Sequence, residues 1–440
     1  MSTARGERSP IAVATILLVT LLLILGLQGT SSALVPCGLD PAFGASGVLA
    51  SDLGGDDLAN GLAIRPGGSV VVAGSSFDEM MAAQYAPDGT LDPSFGTGGV
   101  VRISRDPTLS SAASDVALQQ DGKVVLAGRE LAAVSGSSLF DIAVARLNPD
   151  GTRDASFGGG DGVVYLDLQG QQNEATAVAL DSAGRIVVAG RSWAVGGNSD
   201  AVVVRLLPDG SLDSSFGKQG VVVLDLRSNF DVANGLAVQA DGALVVAGSY
   251  QPSVPTPWLV SLRPDGSRDR RFGHMGLVTP SVSGAWYDVT VQRDGRIITA
   301  GQVALLTLAT GGQASDLTVA RYLQDGTADA GFGVGGMATV RVDPSGARHG
   351  QAAGVAVRAD GTVLAVGAAM ATNVSDMVAA TLLADGTPDA RFGTGGVVLH
   401  HDLGGSNSAL QDVAVRSDGS ALAAGYVGAN SALARFTPCG

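Results

Sequence analysis

Lysine and glutamate are almost missing from this 440-residue chain: two Lys and four Glu stand against 25 Arg and 37 Asp. Glu and Lys are residues of helix surfaces, whereas Asp and Gly suit turns. With 63 glycines as well, the composition excludes a helical protein and predicts strands and turns throughout. Only 15% of residues are charged, too few for a coiled coil, and 45% are apolar, too many for a disordered polyelectrolyte. Basic charge is in deficit and the net charge is −14, which argues against nucleic-acid binding, since phosphates need a basic surface. Cysteine occurs twice and histidine four times. No H-E-x-x-H, G-x-S-x-G, P-loop or dinucleotide fingerprint is present in a credible context, so neither a catalytic residue nor a cofactor is expected.

Long hydrophobic runs are also absent, with one exception. Residues 11–25 are apolar apart from Thr15 and Thr20, follow Arg5 and Arg8, and lead to small residues ending at Ala33. This order fits a secretory signal peptide over 1–33, cut after Ala33, with 34–440 exported as one domain without a further membrane span. The competing readings are an uncleaved anchor and a lipoprotein box at Cys37, the latter opposed by Pro36 before the cysteine.

What is abundant is repetition. Phe-Gly recurs at Phe43, Phe95, Phe157, Phe216, Phe272, Phe332 and Phe392. An apolar run closing on Gly recurs at Gly74, Gly128, Gly190, Gly248, Gly301, Gly367 and Gly425. Apolar segments of four to seven residues, bounded by Asp-Gly, read as strands joined by tight turns. One unit gives strand a at about 235–239, b at 243–247, c at 258–263 and d at 276–280. Seven four-stranded units predict an all-β, seven-bladed β-propeller with antiparallel strands in each blade.

The pattern Val-Ala-Val-x-x-Asp-Gly-x-x-x-Val-Ala-Gly, followed by Ala-Arg-Leu-x-Pro-Asp-Gly-x-x-Asp-x-x-Phe-Gly, resembles the delta-60 repeat of extracellular bacterial proteins. That family is similar in layout to NHL-type propellers, and the resemblance spans 37–440. It implies a fold and no chemistry, because one architecture serves many functions. By analogy with NHL-type blades, strand a lies at the axis and d at the rim. The last blade then takes a, b and c from about 413–436 and d from the N-terminal segment 47–52. The chain break falls inside a c–d turn. Aligned with the other units, Cys439 stands where they have Asp and Cys37 where they have Gly, so the two meet at the break and a Cys37–Cys439 disulfide is expected in an exported protein.

The repeated Asp residues read as turn-formers whose carboxylates accept backbone N–H bonds, and the repeated Phe as packing between blades. No D-x-D-x-D-G calcium loop is present, and His400 and His401 are expected on opposite faces of a strand, so no metal is expected. The b–c and d–a connections share one face of the ring, and the b–c loops vary from very short (about 75–77) to long (about 129–140 and 302–315), which is where binding specificity is built. Trp193 is placed in a b–c loop, Trp258 at a strand c start, and Trp286 with Tyr287 in a d–a loop. Aromatic groups there could stack on a sugar or anchor a peptide. Asp115, Asp288 and Asp412 are placed in d–a loops just before strand a, with Asn60 and Asn234 one position earlier in two other units, forming a partial polar ring at the channel mouth. The expected function is a monomeric, non-enzymatic binding or scaffold module for an extracellular protein or polysaccharide. The alternative is a hydrolase or lyase using the channel acids.

Overall fold

The computed structural model describes residues 37–440 apart from 107, 133–138, 169–171, 194–196, 227–229, 251–254, 306–313, 344, 346–347, 373 and 402–404. The proposed leader 1–33 lies outside the described residues. Within them the chain forms 28 strands and no helix, arranged as seven four-stranded antiparallel sheets. The innermost strands, one per blade, are Leu58–Ile64, Ser111–Leu118, Gln172–Leu180, Asp231–Val238, Gly284–Val291, His349–Val357 and Ser408–Val415. They define blades 1 to 7 in order.

The second strand of each blade is apolar on both faces because a blade is sandwiched between two others. Leu244–Tyr250, for example, is buried from Leu244 to Ser249. Burial accordingly divides into seven apolar clusters, one at each junction between neighbouring blades. Every repeat Phe lies in one of them at 2% exposure or less. In four units, the Arg at the position of Ala-Arg-Leu explains part of the motif that sequence leaves open. Arg205 sits 4.4 Å from the Phe216 ring centroid, pairs with Asp213 at 2.9 Å and donates to the Pro264 carbonyl of the next blade. Arg146, Arg321 and Arg435 repeat the arrangement with Phe157, Phe332 and Phe43. The Asp residues of the Pro-Asp-Gly turns accept the N–H two residues on, as Asp209 does from Ser211 at 2.9 Å.

The ring closes as its repeat alignment requires. The seventh sheet combines Ser408–Val415, Ala421–Val427 and Asn430–Phe436 with the N-terminal strand Val48–Ser51 at its outer edge. The Arg435 guanidinium, from the last strand, pairs with Asp40 at 2.7 Å, and Cys37 is bonded to Cys439 with their Cα atoms 5.1 Å apart. The Cys37 carbonyl accepts from the Gly393 N–H at 2.8 Å, a role that the turn aspartate carbonyl fills at other junctions, as Asp265 does for Gly217.

Candidate functional site: the axial channel and the loop face above it

All seven innermost strands break register at the same place, where one residue is skipped in the pairing with strand b. The skipped residues are Asn60, Ser114, Thr176, Asn234, Tyr287, Ala353 and Gln411. A bulge of this kind turns a side chain out of the alternation and bends the strand. It also accounts for the Gly that ends the Val-Ala-Gly motif. A Cβ on Gly248 would overlap the Val232 carbonyl, and the same clash recurs at Gly74, Gly128, Gly190, Gly301, Gly367 and Gly425.

The bulge corrects the predicted placement of the acids. Asp115, Asp288 and Asp412 are inside strand a, directly after the skipped residue, and not in loops at the channel mouth. Asn60 and Asn234 are likewise within strands. Alternation alone marks the strand only from the bulge onward, so Asp231–Val238 starts four residues before the predicted 235.

In the channel these groups lace the blades together. Asp115 accepts the Val116 N–H at 2.7 Å and, from blade 3, the Val178 N–H at 2.8 Å. Asp288 does the same with Val289 and, from blade 6, Val355, and Asp412 with Val413 and, from blade 1, Leu62. Asn60, Thr176 and Asn234 donate to the carbonyls of Ala113, Ala233 and Trp286 in their following blades. One polar side chain thus spans six of the seven junctions. Burial raises the Asp115 carboxyl to about 7 and the Asp288 carboxyl to about 8, each with a further push from Asp412, and burial also raises Asp412. Both oxygens of each carboxyl are engaged by backbone N–H groups, which makes these acids clamps before anything else.

Above this belt, on the face of the b–c and d–a loops, the channel widens into a funnel of about 480 Å³. Asn60, Ser114, Asn234, Tyr287, Ala353 and Gln411, all skipped residues, line it, joined by Asp78, Arg129 and Glu174 from its blade 1–3 side. Tyr287 is therefore at the funnel wall, where its hydroxyl accepts from Gln302 Nε2 at 3.0 Å, and burial raises its pKa. Trp286, its neighbour, is fully buried in the core between blades 4 and 5 and presents no stacking surface. Trp258 is also fully buried, between blades 3 and 4. Both point into the sheet interface because strand a extends further than alternation shows and strand c begins before Trp258. Trp193 ends strand Ile186–Trp193, half-buried, with the Arg191 guanidinium 3.7 Å from its ring centroid.

Three features of this face carry no sequence signal. Arg102 lies over Phe77, Arg105 over Tyr165 and Arg129 over Phe140, at 5.2, 3.8 and 4.8 Å from the ring centroids. Asp200, Asp225 and Asp231 bring carboxylate oxygens within 4.8 Å of one another from three separate segments. Asp376, buried, holds His401 Nδ1 at 2.9 Å, whereas His400 borders the packing between blades 6 and 7. Asp402 lies outside the described residues.

The repeats match a known sequence family in part. Residues 66–95, 119–157, 184–216 and 292–332, together about a third of the chain, match the family described as a domain of unknown function (DUF5122) beta-propeller. No curated protein matches the chain in sequence. Among solved structures it is similar to virginiamycin B lyase from Staphylococcus aureus, with 9% identity over 89% of this chain and 98% of that one, TM-score 0.49. It is similar also to the polysaccharide lyase Uly1, with 10% identity over 87% and 90%, TM-score 0.47. A family AA12 carbohydrate-active enzyme of Trichoderma reesei gives 11% identity over 93% and 99%, TM-score 0.42. Likeness at this level carries no activity to this chain. The partial family match, together with seven four-stranded blades, supports assignment to a propeller repeat family.

Proposed function

We propose that this chain is an exported, non-enzymatic propeller that binds an extracellular protein or glycan through its b–c and d–a loop face. The observation that supports this most is the funnel: all seven blades contribute residues to one polar depression, a concave site carried on a rigid ring. The acids beneath it, Asp115, Asp288 and Asp412, are occupied as backbone acceptors, which weighs against their use as the catalytic acids of the enzymatic alternative. A disulfide as the last closure of the ring suits an oxidising compartment, and no helix among the described residues is long and apolar enough to cross a membrane. We assign residues 1–33 as the leader that delivers the chain there, with the exported form monomeric.

The test is a glycan and peptide array probed with residues 34–440, alongside Tyr287→Ala and Trp193→Ala. The reading predicts a bound ligand recovered unchanged and weakened by these substitutions. Turnover of a ligand that disappears in the combined Asp115→Asn, Asp288→Asn, Asp412→Asn variant would establish the enzyme instead. N-terminal sequencing of the exported protein should begin at Leu34.

A further inference from the structure

The loop face is lopsided. Its four arginine–aromatic stacks, Arg102 on Phe77, Arg105 on Tyr165, Arg129 on Phe140 and Arg191 on Trp193, all belong to blades 1 to 3. The other four stacks in the described residues are the repeat pairs of the opposite face.

Within this sector Phe77 stands out. It forms a two-residue hairpin turn with Asp78 in blade 1, at φ 54° and 59°, so both residues are left-handed and neither is glycine. A bulky side chain in that region is disfavoured sterically and marks strain held for a purpose. Blade 7 makes the equivalent two-residue turn with Gly428 at the first position, φ 59°, so the fold itself has no need of an aromatic there. The surroundings are nonetheless fitted to the ring. Gly54 and Gly55 lie against it so closely that a Cβ on either would come within 2.9 Å of it, and the Asp78 carbonyl ties the turn to blade 2 by accepting the Ser111 N–H at 2.7 Å. Phe77 is 56% exposed all the same.

The sector carries both signs: Asp78, beside Phe77, is exposed, and Arg105 is matched to Glu130 and Asp141, whereas its other arginines share fewer acids. Arg129 and Arg191 converge on one carboxylate, Glu174, at 2.8 and 2.6 Å, and Arg129 is 44% exposed. Arg102 donates to the Leu53 carbonyl and the Ser76 hydroxyl, both neutral. A guanidinium group held over a ring presents a planar, donor-rich group, the shape that recognises carboxylates and sulfates. The adjoining funnel is lined mostly by polar groups, amides and hydroxyls together with the charged Asp78, Arg129 and Glu174, which suits a hydroxyl-rich ligand better than a peptide with apolar side chains.

We propose that blades 1 to 3 of the loop face form a binding site for an acidic saccharide. A sugar ring rests on Phe77, its carboxylate or sulfate pairs with Arg129 in competition with Glu174, and its hydroxyls meet the funnel wall. This rests on the binding reading above and narrows it to one sector and one ligand class. The probes are a polygalacturonate hexasaccharide, a sulfated heparin hexasaccharide and neutral xylohexaose, titrated calorimetrically against residues 34–440. At least one acidic probe should bind tenfold or more tightly than the neutral one. Phe77→Gly, which removes the strain, should keep or raise the melting temperature yet lose tenfold or more in affinity for that probe. Arg129→Gln should erase the preference for acid and leave neutral binding as it was. Equal affinity for all three sugars, no saccharide binding, binding of acidic peptides alone, or acidic binding unmoved by both substitutions would overturn the proposal. If a ligand is then lost in Tyr287→Ala but not in Phe77→Gly, only the sector is wrong; binding indifferent to the whole loop face removes the broader reading as well.

Discussion

The two faces of the ring put the same residue types to different uses. On the turn face an Arg lies on a buried Phe in four blades, pairs with an Asp and bonds the next blade, as Arg205 does with Phe216, Asp213 and Pro264. On the loop face the stacks are exposed or half-exposed, confined to three blades and matched to no repeat. Repetition marks what holds neighbouring blades together, because every junction must solve the same packing problem. Departure from repetition marks surface that the ring does not require.

The comparison can be broken first at the seam. The Cys37→Ser, Cys439→Ser variant should lose up to about 6 kcal/mol by the chain-entropy argument for so long a loop, read as a fall in the denaturation midpoint that reducing agent reproduces in the parent and not in the variant. An equal midpoint would mean that strand pairing alone closes the ring. Next, Phe216→Ala should cost about 3–5 kcal/mol, as a large aromatic removed from a core does, whereas Trp193→Ala on the other face should cost about 1 kcal/mol or less. Comparable losses would erase the distinction between the faces. Gly248→Ala should cost about 1–3 kcal/mol, because its methyl would drive away the Val232 carbonyl, two residues before the bulge; a neutral outcome would show that the bulge is soft.

The smallest effect concerns pH, and its sign separates the turn face from the channel. At Asp213 the Ser215 hydroxyl lowers the pKa, against burial and together with Arg205, so its contribution is present above about pH 4 and fades as the pH falls further. Asp288 is raised to about 8, so its contribution is complete below about pH 4 and is lost as the pH rises through 8. Thermal melts should therefore show stability declining from about pH 5 to pH 8. Asp288→Asn should flatten that decline and leave the acid limb untouched. A parent protein whose melting temperature rises across that window would mean that the channel carboxyls stay ionised.

The fold was legible because the signals that specify it are local and recur: the apolar run ending in Gly and Phe-Gly appear in the same order in every unit, with an Asp-Gly turn between them in six. Even the seam could be read, since Cys37 and Cys439 occupy halves of one turn. The channel was less legible. Asp115, Asp288 and Asp412 are visible as acids near strand a, but the bulge that carries them inside the strand interrupts the alternation by which strands are recognised. Trp286 looked like a loop aromatic for the same reason and is core. The Phe77 turn was missed because a Phe-Asp dipeptide has no turn signature; its left-handed backbone exists only where Gly54, Gly55 and Ser111 surround it.

Residue order by itself determined the number of blades, the antiparallel pairing within each and the partner of each cysteine, since these follow from periodicity and from turns that close over a few residues. Only the assembled ring decided which acids lace the axis together, which aromatics are buried and where exposed arginines gather. Those outcomes depend on contacts between neighbouring blades, typically some 50 to 60 residues apart in sequence, as from Asn60 to Ala113 and from Thr176 to Ala233. No local pattern reports the approach of two such segments.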